Sequence, residues 1–95
     1  MDFLREEGFS EDVIKKMRQR YDSSVLDLFC LEQENVVDVI HYFQKIGIRP
    51  IDLLLQTRIE VFTKDINEVK DAFLKYNIKE IVGLINQDIN TIDFI

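Results

Sequence analysis

Few side chains in this chain have the chemistry to react with anything. His41 is the only histidine and Cys30 the only cysteine. An imidazole can pass a proton and a thiolate can attack an electrophile, but each needs a second group beside it to hold or activate it. Around His41 the sequence reads Val39-Ile40-His41-Tyr42-Phe43, with neither a nucleophile nor a paired carboxylate, which predicts a surface or boundary histidine. Cys30 lies among Leu28, Phe29 and Leu31, which predicts a buried core thiol in a reducing compartment. A zinc site draws on three or four nitrogen or sulfur ligands, so residue count alone excludes a metal. Gly8, Gly47 and Gly83 stand too far apart for a phosphate-binding or dinucleotide-binding loop. The carboxylates fall at helix starts and solvent positions, not as an acid and base pair. The expectation is a chain that is not an enzyme and holds no cofactor.

Two constellations remain that could bind. Lys15, Lys16, Arg18 and Arg20 put four cations in six residues, suited to phosphate groups or an acidic partner segment. A solvated helix end competes with that reading, because cations also favour the negative end of the helix dipole. Glu11 and Asp12, four residues ahead of Lys15 and Lys16, are placed to pair with half the cluster. The chain also carries 12 Lys and Arg against 18 Asp and Glu, a net charge of −6 that repels a polyanion at long range. The second constellation is apolar: Ile78, Ile81, Ile85, Ile89, Ile92 and Ile95 keep a spacing of three or four residues to the last position, with Phe94 beside them. A terminal repeat should turn a polar side outward. Ile89, Ile92, Phe94 and Ile95 are therefore read as a protein-binding face, for another protein or a second copy of the chain. Folding of the last turn back onto its own unit is the competing reading.

The elements that must carry these residues are legible through a repeat. Residues 39–62 align with 69–92 at an offset of thirty: Val39 with Val69, Phe43 with Phe73, Lys45 with Lys75, Ile48 with Ile78, Ile51 with Ile81, Leu54 with Leu84 and Ile59 with Ile89. Such a period marks stacked units that cover one another's apolar faces. Val36, Val39, Ile40, Phe43 and Ile46 form one helical stripe ending at Gly47; Val69, Ala72, Phe73 and Tyr76 form the next. Asp65 with Glu68 reads as a capping box, and Asn77 as a left-handed C-terminal residue equivalent to Gly47. Shorter helices follow at Pro50–Gln56 and Lys79–Asn86, then half-turns at Arg58–Phe62 and Asp88–Ile92. Earlier, Ser10 caps a helix whose apolar side is Val13, Ile14, Met17 and Tyr21, and Asp22 or Ser23 caps another through Val25, Leu26, Leu28 and Phe29. The expectation is all-α: one domain, 1–95, in units of roughly 1–31, 32–62 and 63–95, forming a small right-handed superhelical stack of about three helix-pair repeats.

Composition agrees with a folded domain, being 46% apolar and 32% charged. No apolar run reaches the length of a membrane span, and the acidic start Met1-Asp2-Phe3-Leu4-Arg5-Glu6-Glu7 is unlike a signal peptide, so no membrane contact and a cytoplasmic location are expected. The string Tyr42-Phe43-Gln44-Lys45-Ile46-Gly47-Ile48 followed by Asp52-Leu53-Leu54-Leu55 resembles the helical repeat of the mitochondrial transcription termination factor family. Phe3-Leu4 through Gly8-Phe9-Ser10-Glu11-Asp12-Val13-Ile14 is an earlier copy of it. That resemblance implies a curved right-handed stack; independent arrival at the same repeat grammar stands beside it. The leading functional expectation is a noncatalytic interaction module binding another protein through the groove of the stack or its C-terminal apolar face. The alternative, which the resemblance implies, is nucleic-acid binding through Lys15, Lys16, Arg18 and Arg20.

Overall fold

Chain-end and turn residues lay out the architecture. In the computed structural model, which describes residues 1–95, every regular element is a helix. α1 (Asp2–Glu6) stops before Gly8, whose φ of +92° only glycine takes without strain. Ser10 starts α2 (Glu11–Arg20), its hydroxyl accepting from the Val13 amide at 3.4 Å. α3 (Ser23–Leu31) follows Asp22, and α4 (Gln33–Ile46) is the longest element. Gly47, at φ +94°, ends α4, and the Ile48 amide turns back to the Phe43 carbonyl at 2.9 Å. α5 (Ile51–Thr57) starts directly after Pro50, and α6 (Glu60–Thr63) is a single turn. α7 (Ile66–Leu74), α8 (Ile78–Gln87) and a 3-10 helix (Ile89–Phe94) complete the chain.

Two caps differ from expectation. Asn77 is not left-handed: at φ −69° and ψ 113° it is the N-cap of α8, accepting from the Glu80 amide at 3.2 Å. The helix before it ends with Lys75 in ordinary helical backbone, so nothing requires a positive φ there, and asparagine serves as well at an N-terminus. Asp65 does start α7, but its carboxylate accepts from Asn67, two residues on, at 2.8 Å. That is an Asx turn in place of a capping box.

The core comprises 22 residues, all apolar. Phe43 is at its centre, edge-on to Phe62 at 5.6 Å and to Phe73 at 5.7 Å between ring centroids. Around it, α4 contributes Val36, Val39 and Ile40, while α6 and α7 pack on its flank. At the N-terminal end α2 lies against α5, and Phe3 meets Phe29 at 5.5 Å. Cys30, expected in the core, is only half-buried: on α3 it falls beside Phe29, which alone of that helix points fully inward.

Burial recurs thirty residues apart at Val39 and Val69, Phe43 and Phe73, Ile51 and Ile81, Leu55 and Ile85, and Phe62 and Ile92. It loosens from buried Ile48 and Ile59 to half-buried Ile78 and Ile89, and it breaks outright within α8. Leu54 is fully buried whereas Leu84 is 51% exposed, and Val82 is buried where Asp52 is exposed. α8 is thus turned about its axis relative to α5, bringing Val82 against the Gly47 turn, where a Cβ on that glycine would meet its Cγ1 at 3.8 Å.

Polar side chains tie distant turns together. The Tyr21 hydroxyl donates to the Leu55 carbonyl at 3.0 Å and accepts from the Ile59 amide at 3.3 Å. Asn35 donates to the carbonyls of Phe62 and Lys64 and accepts from the Ile66 amide at 2.9 Å. Asn86 donates to the Gly47 carbonyl and accepts from the Arg49 amide, both at 3.0 Å. Each satisfies backbone groups that a turn leaves without a partner. No helix is long and apolar enough to cross a membrane.

Candidate interaction surfaces

The C-terminal isoleucines do not form one outward ridge. A 3-10 helix has three residues per turn, so Ile89, Ile92 and Ile95 fall on one line and Phe94 on another. The isoleucine line faces inward: Ile92 is 6% exposed, in the position that Phe62 occupies thirty residues earlier, and Ile89 and Ile95 are half-buried. Phe94 is 80% exposed. Of the four residues expected to bind a partner, only Phe94 is freely presented, because the 3-10 register that turns Ile92 into the core turns Phe94 away from it. Beside the isoleucine line, an apolar cleft of about 170 Å³ runs between α6, α7 and the 3-10 helix. Val61, Val69, Ala72, Phe73, Ile92 and Ile95 line it with Lys64 and Glu68.

This end of the molecule is held rigidly. Arg58 donates from Nε and Nη2 to the two carboxylate oxygens of Asp93, at 2.9 and 3.2 Å, and to the Asn90 side chain at 2.6 Å. The Asp93 carboxylate raises the basicity of that guanidinium further. Tyr76 donates to the Phe94 carbonyl at 3.1 Å, so the Phe94 backbone is fixed while its ring is free.

The four cations of α2 are all exposed, but they do not converge. A helix turns about 100° per residue, which spreads Lys15, Lys16, Arg18 and Arg20 over roughly 200° of its circumference, on both sides of the outermost line. Lys16 is paired with Asp12 at 3.0 Å. Glu11 pairs with Arg5 of α1 instead of Lys15, and the hydrogen-bonded guanidinium holds its carboxyl below the usual carboxylate range. Arg18 lines a shallow hollow with Met1, Tyr21, Leu26, Asp27 and Cys30.

His41 acquires a carboxylate that its neighbours in sequence do not supply: its Nε2 is 2.7 Å from Glu7 Oε2, thirty-four residues away. His41 lines an open groove of about 670 Å³ between α4 and α7, with Tyr42, Lys45 and Lys70 on its walls, whereas Glu7 lines a separate hollow with Glu6, Glu34 and Asp38. Lys70 stands 5.8 Å from the Tyr42 ring centroid, and burial pushes the Tyr42 phenol up. A histidine and a carboxylate are two parts of a general-base relay, but the groove lining contains no Ser, Thr or Cys to be activated. Spacing along the chain carries no sign of this pair.

One further surface escaped the reading of α3 as a helix with an apolar side. Val25, Leu28 and Leu31, at three-residue spacing, are 38, 52 and 81% exposed. The apolar count of α3 was visible; which apolar residues would stay uncovered was not.

No family model, curated protein or solved structure matches this chain. Its own surfaces therefore carry the functional reading.

Proposed function

We propose that the chain is a noncatalytic interaction module, a small right-handed superhelical stack of three helix-pair units that binds another protein at its C-terminal end. The recurrence of burial thirty residues apart supports the repeat, and the rotation of α8 explains why its last unit is left with apolar side chains outside. One observation carries the functional part: Phe94, four-fifths exposed, projects from a backbone immobilised by Tyr76 and by the Arg58–Asp93 pair. An aromatic ring on a rigid support loses little conformational freedom on binding, which is why such residues dominate protein interfaces. Leu84, whose carbonyl accepts from the Thr91 hydroxyl at 3.5 Å, and Tyr76 extend the exposed apolar surface on α8 and its approach. The cleft lined by Ile95 offers a place for a partner's apolar side chain. Phosphate binding through Lys15, Lys16, Arg18 and Arg20 draws less support, because those cations do not share a face and one is already paired.

Site-specific photocrosslinking in the native host tests this reading. A photoreactive phenylalanine at position 94 should yield a discrete higher-mass adduct with one other protein, and the same group at exposed Gln19 should not. An equal pattern from both positions, or none from either, would remove the proposal.

A further inference from the structure

We infer that the groove between α4 and α7 receives an acidic amphipathic helix of another protein, as a second docking surface independent of the C-terminal one. The two helices run side by side in the same direction. Asn35, near the start of α4, accepts from the first amide of α7, and further along Tyr42 meets Phe73 edge-on at 6.0 Å between ring centroids. Asp38 to Ile46 on one wall and Ile66 to Leu74 on the other each extend about 12 Å, at 1.5 Å per residue. That is about two turns, the length over which a docked helix presents anchors at i, i+4 and i+7. Tyr42, Ile46, Ile66, Leu74 and Ile78 give the groove an apolar floor, with Leu74 68% exposed.

Polar groups around that floor set the sign of the partner. Lys45, one turn after Tyr42 on α4, and Lys70, 5.8 Å from the Tyr42 ring centroid, are both exposed and neither is in an ion pair. Tyr21 and Tyr76 donate their hydroxyls to backbone carbonyls, whereas the Tyr42 hydroxyl bonds no other group of the chain. Burial holds that phenol above its ordinary range, so it is a donor at neutral pH. Three donors, two of them charged, thus line an apolar floor without an acceptor. Asp38, a turn ahead of Tyr42, is the one carboxylate in the lining, and His41 is engaged by Glu7. Asp71 follows Lys70 but lies about 100° further round α7, outside the lining. Two free cations against one acid make the groove locally positive in a chain of net charge −6. Repulsion from the remaining acids is screened beyond about 8 Å at physiological salt. Carboxylates of a docked helix can accept from Lys45, Lys70 and Tyr42 while its apolar side covers the floor. A phosphate polymer would answer the lysines but leave the five apolar residues in water, so the lining favours a peptide.

Fluorescence anisotropy on the full chain tests this with three labelled peptides of about 18 residues at about 0.15 M salt. One is a helix with leucines at i, i+4, i+7 and i+11 flanked by glutamates; the second carries lysines in place of the glutamates; the third scrambles the first. The acidic helix should bind saturably and at least about tenfold more tightly than either control. Lys45→Glu with Lys70→Glu should weaken it at least about tenfold and reverse the preference toward the lysine peptide. Tyr42→Phe, which keeps the ring against Phe73, should weaken it about fivefold, and Leu74→Ser about tenfold. Phe94→Asp should change nothing, and circular dichroism checks that each variant is folded. A wild type that does not prefer the acidic helix to its scramble, or a Lys45→Glu, Lys70→Glu variant of unchanged affinity, would overturn the inference. So would displacement of the peptide by duplex DNA that binds Leu74→Ser as tightly as wild type, which would give the lysines to phosphates, or a loss of binding in Phe94→Asp, which would move the contact to the C-terminal end.

Discussion

Replacing Asn35 by alanine should destabilise this protein more than any other single polar truncation. One half-buried amide holds the whole junction between α6 and α7, donating to the carbonyls of Phe62 and Lys64 and accepting from the Ile66 amide, the first of α7. Three bonds at a net value of about 1 kcal/mol each, partly recovered by water at a half-buried site, give a loss of about 2–3 kcal/mol. A chain of this length is stable by roughly 5–14 kcal/mol, so the loss is a large fraction of the total. It should lower the thermal midpoint by roughly 10–20 °C, and the urea midpoint with an unchanged m-value. Asn35→Asp sharpens the test. An aspartate keeps the acceptor for Ile66 but loses both donors and sets a negative charge against two carbonyl oxygens, so it should be no more stable than alanine. Circular dichroism melts of both variants beside Asn67→Ala, an exposed asparagine of α7 whose side chain bonds no other turn, supply the comparison. If Asn35→Ala melts within a degree or two of Asn67→Ala, the amide does not hold the junction and the reasoning fails.

Phe43→Ala should cost about 3–5 kcal/mol, whereas Leu84→Ala, at an aligned apolar position left half outside, should cost less than about 1 kcal/mol; urea titrations of the pair decide it. At the C-terminus Ile92→Asp should abolish cooperative unfolding, and Phe94→Asp should leave the melt unchanged, because one side chain is buried and the other is in water. Alkaline stability should report the tyrosines. Burial raises the Tyr21 and Tyr42 phenols above their ordinary value of about 10, so below that pH both folded and unfolded chains are protonated, and above it the unfolded chain ionises first. Stability should therefore decline as pH rises past about 10, and Tyr21→Phe with Tyr42→Phe should flatten the decline seen in urea titrations across that range. Retention on duplex DNA should be absent at low salt; binding that falls with a log–log slope of roughly 0.9 per phosphate contact would return Lys15, Lys16, Arg18 and Arg20 to first consideration.

Local patterns were legible where a residue type has one dominant use. Ser10 capping α2 and Gly47 ending α4 follow from backbone geometry that few other residues satisfy as well, while Pro50, expected as the first residue of its helix, stands one position before α5 as its N-cap. Asn77 misled because asparagine suits both a left-handed stop and an N-cap, and only the length of the gap between α7 and α8 selects between them. The C-terminal face was half legible. Spacing revealed the isoleucine series, but a 3-10 turn in place of an α turn divided it into buried Ile92 and exposed Phe94. Nothing in the spacing pointed to the α3 stripe as an outward surface, or to His41 meeting Glu7.

The sequence alone determined that this chain is helical and where most of its helices start and stop, because caps and apolar periodicity act within a few residues. It also determined the recurrence of apolar positions at thirty residues, which follows from composition at fixed intervals. Which side of each helix is covered was decided only in three dimensions. Leu54 and Leu84 are the same residue in aligned places, yet one is buried and the other lies half in water, because α8 turns its Val82 side toward Gly47. Tyr21, Asn35 and Asn86 likewise look like ordinary polar residues until folding brings them to turns 27 to 39 residues away. Burial and hydrogen-bond partnership belong to pairs of elements, and a pair exists only once the chain has closed on itself.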